Sequence, residues 1–400
     1  MTTDNRPSLP RLFSSFLRLG FTAFGGPSMV AYIRKMAVDD KQWLDKETFK
    51  DGVALCQIIP GATAMQSAAY VGLKTRGVSG AAATFVGFGL PAFLLMSLLA
   101  LVYQSVIHHP ISIFVFSCLQ AMIVAIIANA TVSFGKATLK EWKSVLITVF
   151  AIVLFGLKWN PILIIVLSAA LGILLGMRKK TSQPQTAKIS SSTDGPACQE
   201  KAESNLRDIA AILLAYAVLL VVLFFWNRRL FVFSTLMFRI DLFAYGGGFA
   251  SVPLMFHEIV DVRHLLSSQT FLNGIALGQV TPGPIVITAT FIGYMLSGIV
   301  GGIIGTISIF LPSFLMVIGI TPIFDRLRSK KLFDDIIRGV FSSFVGLLFT
   351  VTIQFALNVH WGLAQMVIGA GALVALLLKR DILYVVLIGT AVSVVIFVAL

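Results

Sequence analysis

The sequence predicts an all-α polytopic membrane protein made of two homologous units in inverted orientation, with helices interrupted at Gly-Gly and Pro-Gly. Three observations predict this fold. The 400-residue chain is 57% hydrophobic and 12% charged, about half the charged fraction of a soluble domain. Several apolar runs, such as 83–103 and 209–226, reach the roughly 18 residues of a spanning helix. The motif Ala-Leu-x-Gln-x-x-Pro-Gly occurs at 54–61 and again 222 positions later at 276–283.

The formal net charge of +13 does not indicate nucleic-acid binding. The basic residues lie in short clusters between apolar runs, which is the positive-inside pattern of a membrane protein. Three scattered cysteines, Cys56, Cys118 and Cys198, form no CxxC motif, so we expect neither a disulfide framework nor a metal or cofactor. The N-terminus lacks the apolar core of a cleaved signal peptide.

The repeat extends well beyond the Pro-Gly motif. A shift of 222 places Gln57 on Gln279 and Pro60-Gly61 on Pro282-Gly283, and a shift of 221 places Leu90-Pro91 on Leu311-Pro312. Self-similarity over this distance indicates a duplicated unit. The predicted domains are a first repeat (1–177), a hydrophilic linker (178–207), an unpaired transmembrane helix (208–228) and a second repeat (229–400).

Basic loops indicate that the two repeats face opposite ways. Loop 325–335 is rich in Lys and Arg, whereas its counterpart 104–112 has neither; loop 136–143 is basic and 357–361 is not. By the positive-inside rule we expect inversion, about 13 membrane elements, a cytoplasmic N-terminus and linker, and an external C-terminus. Each repeat has two interrupted elements, which are 11–37 and 45–75 in the first repeat. These elements either cross the membrane or re-enter it. In both cases the total number of crossings is odd.

The Pro-Gly motifs predict a substrate site. A break in a helix survives in hydrocarbon only where protein or a water-filled cavity covers it, and it creates a helix N-terminus that attracts anions. Interrupted helices at equivalent positions of inverted repeats are typical of a transporter's central site. Ordinary proline kinks and close helix packing at glycine are the alternatives. The predicted substrate-binding residues are Gly25, Gly26, Gln57, Pro60, Gly61, Gln66, Gly247, Gly248, Gln279, Pro282 and Gly283.

Ionisable residues near these breaks are further candidates, because charges inside membrane segments commonly serve transport. We expect Arg18 and Arg239 to attract the anion, and Asp241, His257 and Glu258 to couple transport to protons. The alternative is that these side chains reach the interface or pair locally at helix ends.

At these positions the chain resembles the chromate ion transporter family in its long, two-domain form. The resemblance rests on Phe21-x-x-Phe24-Gly25-Gly26-Pro27 with Gln57-x-x-Pro60-Gly61, and on Tyr245-Gly246-Gly247-Gly248 with Gln279-x-Thr281-Pro282-Gly283 and Leu311-Pro312-Ser313-Phe314. It implies chromate efflux and resistance, with coupling to protons or sulfate left open, in a prokaryotic cytoplasmic membrane. Ala62, Leu265 and Asp241 depart from the family pattern, and Asp241 could alter coupling.

Other functions fit the sequence less well. A sulfate or related oxyanion importer is the main alternative, since chromate and sulfate are both tetrahedral dianions. A membrane enzyme would need a cluster of catalytic side chains at one depth, and most of the five histidines lie near loops. An inverted repeat around broken helices also disfavours a channel. The expected partners are the substrate anion and the lipid bilayer, with a homodimer left open and no nucleic acid.

Overall fold

The structure, a computed structural model, describes residues 7–24, 28–176, 196–324 and 331–399, and every regular element in these ranges is helical. The helices are α1 Leu9–Thr22, α2 Ser28–Arg34, α3 Lys46–Ile58, α4 Thr63–Val106, α5 Pro110–Thr138, α6 Trp142–Gly156, α7 Pro161–Leu175, α8 Pro196–Trp226, α9 Arg228–Leu242, α10 Gly248–Phe256, α11 Ser268–Val280, α12 Thr288–Ile320, α13 Lys331–Asn358, α14 Leu363–Leu377 and α15 Ile382–Ala399. Short π-helical turns (Lys35–Asp40, His257–Val262) and 3₁₀ turns (Ile285–Ile287, Thr321–Ile323) complete them.

The two repeats match helix by helix, α1–α7 against α9–α15. The bounds of α3 and α11 differ by the same 222 positions as their sequences. Both helices begin with a side-chain cap: the Asp45 carboxylate accepts from the Thr48 N–H at 2.8 Å, and the Ser267 hydroxyl accepts from the Thr270 N–H at 3.1 Å. Such caps satisfy an N–H that the helix itself leaves unpaired. The repeated sequence therefore produces a repeated local structure.

Helices α4 and α12 each fold back on themselves. Gly77 and Gly298 have φ values of +66° and +60° inside these helices, a conformation that favours glycine. Residues eight apart in an unbroken helix lie about 12 Å apart, yet a methyl group added at Gly72 would collide with the carbonyl of Gly80. Each helix thus consists of two arms, 63–75 and 78–106 in α4 and 288–296 and 299–320 in α12.

The first arm of α4 pairs with α3 to form a re-entrant hairpin. A methyl group added at Gly52 would collide with the ring of Tyr70, so the chain reverses at Pro60-Gly61 between them. Gly274 packs on Phe291 in the same way around Gly283. These elements therefore enter and leave at the same end of the molecule.

Helices α9 and α10 form a second kind of hairpin. The Arg239 guanidinium of α9 lies 3.6 Å from the Glu258 carboxylate, just past the end of α10, so the chain folds back between the two helices at Tyr245–Gly247. Helices α1 and α2 occupy the equivalent position in the first repeat. The residues between them, Gly25, Gly26 and Pro27, lie outside the described residues.

The second arm of α4 shows that the repeats are inverted. It begins at the base of its own hairpin, where the Arg76 side chain donates to the Pro7 carbonyl at 2.8 Å. It then passes the opposite tip, where Ala92 contacts Gly283, and it ends near the base of the opposite hairpin, where the Tyr103 hydroxyl accepts from Asn273 at 3.0 Å. We call these bases the first end and the second end. The first-repeat hairpins enter from the first end, and the second-repeat hairpins enter from the second end.

In the described residues, the thirteen predicted elements are therefore nine crossings and four re-entrant hairpins. Six helices are long and apolar enough to span a membrane by length and composition, two of them being the folded α4 and α12, and α6, α7 and α14 are shorter apolar helices. Short loops join α4 to α5, α5 to α6 and α6 to α7, and likewise α13 to α14 and α14 to α15, so these crossings alternate in direction. Helix α1 starts at the first end and α15 finishes at the second, as an odd number of crossings requires. The crossings are the second arms of α4 and α12 together with α5, α6, α7, α8, α13, α14 and α15.

Candidate functional site

The tips of the opposed hairpins meet in the middle of the protein. The Gly61 N–H donates to the Ala244 carbonyl at 2.9 Å, and the Gly283 N–H donates to the Ala23 carbonyl at 3.2 Å. The two bonds are related by the repeat, since each Pro-Gly tip is bound to the end of α1 or α9 from the other repeat. Gly61 and Gly283 have φ values of +112° and +111°, which glycine adopts far more readily than other residues.

A cavity of about 1190 Å³ runs from the first end to these tips. Its inner part is lined by backbone, amide and hydroxyl groups from both repeats, with no charged side chain among them. The inner lining comprises Gln57, Ala62, Thr63, Ala64, Gly246, Gly247, Gly248, Gln279, Thr281, Gly283 and Pro284. The two repeats therefore share one cavity.

Two helix N-termini open onto the inner cavity. Helix α4 starts at Thr63 and α10 starts at Gly248, and the first turn of each lines the cavity. The N–H groups of a first turn have no carbonyl partner within their helix, and they carry the positive end of the helix dipole. A methyl group on Gly247 would lie 3.4 Å from Oγ1 of Thr63, so the two N-termini adjoin. The arrangement suits an anion held by N–H and hydroxyl donors.

The mouth of the cavity is strongly basic. Five cationic side chains line it, against the single carboxylate of Glu141 among the described lining residues. The Arg338 guanidinium lies 3.4 Å from Oε1 of Glu141. Clefts of one charge sign concentrate the opposite ion and raise its association rate. The cationic residues are Arg34, Lys46, Lys50, Lys140 and Arg338.

We expect the double substitution Lys46→Gln/Lys50→Gln to slow association of the transported anion about tenfold at low ionic strength, because steering by charge weakens. The difference from wild type should shrink at high salt. Initial transport rates at two salt concentrations measure it. Lys379→Gln, at the same end but outside the cavity lining, is the control, and an equal loss in this variant would contradict the prediction.

The structure brings together most of the predicted substrate-binding residues. Gln57, Gly247, Gly248, Gln279 and Gly283 line the cavity. Pro60 and Pro282 form the tips with their glycines. Gln66 lies directly behind the first tip. It is fully buried, and its Nε2 donates to the Pro60 carbonyl at 2.5 Å. Gly25 and Gly26 lie outside the described residues.

The predicted charged residues lie elsewhere. Arg18 is exposed on α1 and does not line the cavity. Arg239 is half-exposed and lies 3.6 Å from Glu258, which also faces Arg263 at 3.6 Å. The His257 imidazole lies 4.0 Å from the Asp261 carboxylate. The predicted roles of these four residues in attracting the anion and in coupling transport to protons stay predictions.

Asp241 differs from the other charged candidates because it is completely buried beside the first tip. Its Oδ2 accepts from the Ser313 N–H at 2.8 Å and from the Ser313 hydroxyl at 2.6 Å. The same hydroxyl oxygen accepts from the Ala62 N–H at 3.2 Å. Sequence reasoning missed Ser313 as a site residue, although the repeated Leu-Pro-x-Phe that contains it was visible.

Near the second end, three polar side chains form a buried network beside aromatic rings. The Asn273 side chain donates to the Tyr103 hydroxyl at 3.0 Å and accepts from Nε2 of Gln120 at 2.7 Å. The ring of Tyr103 packs on Phe291 with a centroid distance of 5.1 Å. We call Tyr103, Asn273 and Gln120 the second-end network. In the described residues the cavity opens at the first end, and the second-end network is buried.

Known proteins match both repeats. The Chromate transporter family model matches residues 10–173 and 231–394. The chain is 43% identical to an uncharacterized transporter of Methanocaldococcus jannaschii, over 97% of this chain and 94% of the relative. It is 28% identical to the chromate transport protein of Pseudomonas aeruginosa, over 89% of this chain and 83% of the relative. It is also 28% identical to a probable chromate transport protein of Synechococcus elongatus, over 83% and 81%.

No solved structure matches the chain. The family match covers two segments of equal length at equivalent positions in the two structural repeats. Membrane-spanning helices, a duplicated fold and a full-length match therefore agree. The chain belongs to the chromate transporter family.

Proposed function

We propose that this protein exports chromate across the cytoplasmic membrane and so gives chromate resistance. The observation that carries the proposal is the cavity with a basic mouth, which ends at helix N-termini contributed by both repeats. A tetrahedral dianion fits such an end, because N–H and hydroxyl donors can surround its oxygens. Without a charged side chain at the inner end, the anion is held loosely enough to leave again.

The first end is assigned to the cytoplasm on the positive-inside rule. The linker leaves α7 at this end, where the Lys143 ammonium also donates to the Gly176 carbonyl at 3.1 Å. The second-end loops carry Lys158, Arg228, Arg229 and Arg263. The first-end loops include Arg34, Lys35, Lys41, Lys46, Lys136, Lys140, Lys143, Lys379 and Arg380. The N-terminus and linker are then cytoplasmic and the C-terminus is external.

Transport follows from exchange between two related arrangements. Each tip is tied to the opposite repeat by an equivalent bond, so the repeats can trade the open and the closed conformation around a fixed central site. In the present conformation the first end is open. Closing it and breaking the second-end network would expose the same anion to the outside.

The membrane potential supplies enough energy for export. Moving a dianion out of an inside-negative cell through 100 mV releases about 4.6 kcal/mol, which supports a gradient of roughly three decades. Proton antiport, in which a proton enters as the anion leaves, is the alternative source of energy. Sulfate has the same shape and charge as chromate, so sulfate import is the competing function.

The test is chromate flux in everted vesicles under an imposed potential, with excess sulfate as competitor. We expect protein-dependent accumulation that persists when only the pH gradient is collapsed. Loss of accumulation on collapsing that gradient would indicate proton antiport. No accumulation under any gradient, with sulfate uptake in right-side-out vesicles, would overturn the proposal in favour of import.

A further inference from the structure

We infer that Asp241 is a proton-binding site that must be occupied when the oxyanion binds. The inference rests on the proposed function and adds a second ligand, the proton, to the same site. It also gives the sign of the coupling, because proton and anion would bind together instead of exchanging for one another.

The first step is the environment of the carboxyl group. Asp241 is 0% exposed, and its two hydrogen bonds from Ser313 both reach Oδ2, so Oδ1 is buried without a partner. An ionised carboxylate in apolar surroundings is costly unless it is paired. A proton on Oδ1 removes the charge, so no counter-ion is needed.

The second step is the absence of a compensating cation near Asp241 in the described part of the chain. The guanidinium of Arg239, two residues away on α9, lies beside Glu258. From α8, the facing titratable group is Tyr216, which bonds to Ser234 at 2.9 Å. Residues 288–320 of α12 and 52–73 around the first tip contain no Lys, Arg, His, Asp or Glu, and their tyrosines are Tyr294 and Tyr70. The buried thiol of Cys56 is the titratable group nearest the tip on α3.

The third step is the link to the anion site. The Ser313 hydroxyl joins the Asp241 carboxyl to the Ala62 N–H, and Ala62 precedes the helix N-terminus that lines the cavity. An ionised Asp241 and a bound oxyanion would compete for the same positive helix end and repel one another. A bound anion therefore favours the protonated carboxyl, and by reciprocity the proton favours the anion.

The fourth step is that the site exists in only one repeat. Ala244 accepts the bond from the first tip, and Ala23 accepts the equivalent bond from the second tip. Asp241 lies three residues before Ala244, so its equivalent in the first repeat is Gly20, three residues before Ala23. A methyl group on Gly20 would lie 2.5 Å from the Phe88 carbonyl, so no side chain fits there. Ala92 occupies the position of Ser313 in the packing against the opposite tip. The asymmetry gives one proton per protein.

The experiment measures equilibrium chromate binding to the purified, reconstituted protein between neutral and alkaline pH. We expect the wild-type Kd to rise with pH, by up to about tenfold per unit, the limit for one obligatory proton. Asp241→Asn, which mimics the protonated acid, should show no such rise. Comparison of variants at each pH cancels the speciation of chromate itself. Asp40→Asn changes an exposed carboxylate and serves as the matched control. We expect its Kd to depend on pH as in the wild type.

Two further measurements keep the inference falsifiable. Ser313→Ala retains the acid but removes one hydrogen bond to its ionised form, so the pH midpoint should move upward even if Asp241→Asn folds poorly. Infrared difference spectra should show a protonated carboxyl band in the wild type that is missing in Asp241→Asn, with or without chromate. If wild type binds no chromate yet shows this band, the proposed function fails and the proton site stands.

Three outcomes would overturn the inference. One is a pH profile that Asp241→Asn shares with the wild type. Another is the absence of a carboxyl band that depends on Asp241. The third is an affinity that follows sodium concentration at constant pH, which would make the site one for a metal cation.

Discussion

Gly61→Ala and Gly283→Ala should each reduce chromate flux by at least about 100-fold. Both glycines have φ near +110°, a conformation that costs other residues roughly 1–2 kcal/mol. A methyl group at Gly61 would also collide with the Ser313 hydroxyl, and one at Gly283 would lie 2.7 Å from Cβ of Ala92. Together these costs shift a tip away from the site, and about 2.7 kcal/mol corresponds to the expected loss.

The measurement is chromate flux in vesicles, normalised to the amount of protein inserted. Gly156→Ala is the matched control, because Gly156 lies in a helix and a methyl group there meets nothing within 4 Å. We expect this control to transport normally. Wild-type flux in both tip variants would refute the assignment of the tips to the substrate site.

Asn273→Leu should open the second end and reduce net transport. The substitution removes both hydrogen bonds of the second-end network and leaves the Tyr103 hydroxyl and the Gln120 amide buried without partners. A pair of lost hydrogen bonds is worth about 2–3 kcal/mol, so the closed population should fall by roughly 30- to 150-fold relative to the open one. The opening is measured with Phe291→Cys in a background without native cysteines. The quantity compared is the rate at which a thiol reagent added at the second end labels this cysteine.

Gln365→Leu provides the comparison for this prediction. It removes the Gln365–Ser117 hydrogen bond of 2.8 Å, which also joins two helices near the second end but lies outside the second-end network. Labelling at Phe291 should stay slow in this variant. Equally slow labelling in Asn273→Leu would show that the network does not hold the second end closed.

Much of the fold could be predicted from local sequence. The apolar runs gave the spanning helices, and the matched motifs gave two equivalent sets of elements with an odd number of crossings. The predicted Pro-Gly breaks were correct because proline and glycine act on their own backbone, whatever surrounds them. The basic loops predicted inversion, which the path of α4 between the two hairpin bases confirms.

Whether the broken elements cross or re-enter depended on contacts between residues distant in sequence. Gly77 lies in the stretch Lys74–Gly80 and Gly298 follows Ser297, each inside a longer helical run, and neither stretch by itself predicts that the chain reverses there. Their role as reversal points appears only when Gly72 packs on Gly80 and Gly293 on Gly301. Periodicity reports which residues are apolar, but the direction of a helix after a break is set by what it packs against.

The candidate site divides in the same way. The sequence by itself determined the Pro-Gly tips and the glycines at the start of α10, because a left-handed backbone and a free helix N-terminus are local properties. Only the tertiary structure decided which charges reach the site: it directed Arg239 to Glu258, left Arg18 exposed, and buried Asp241 against Ser313, 72 residues away. A charged side chain has no preference along the chain for one partner over another, so its role is fixed by the depth and the neighbours that folding gives it.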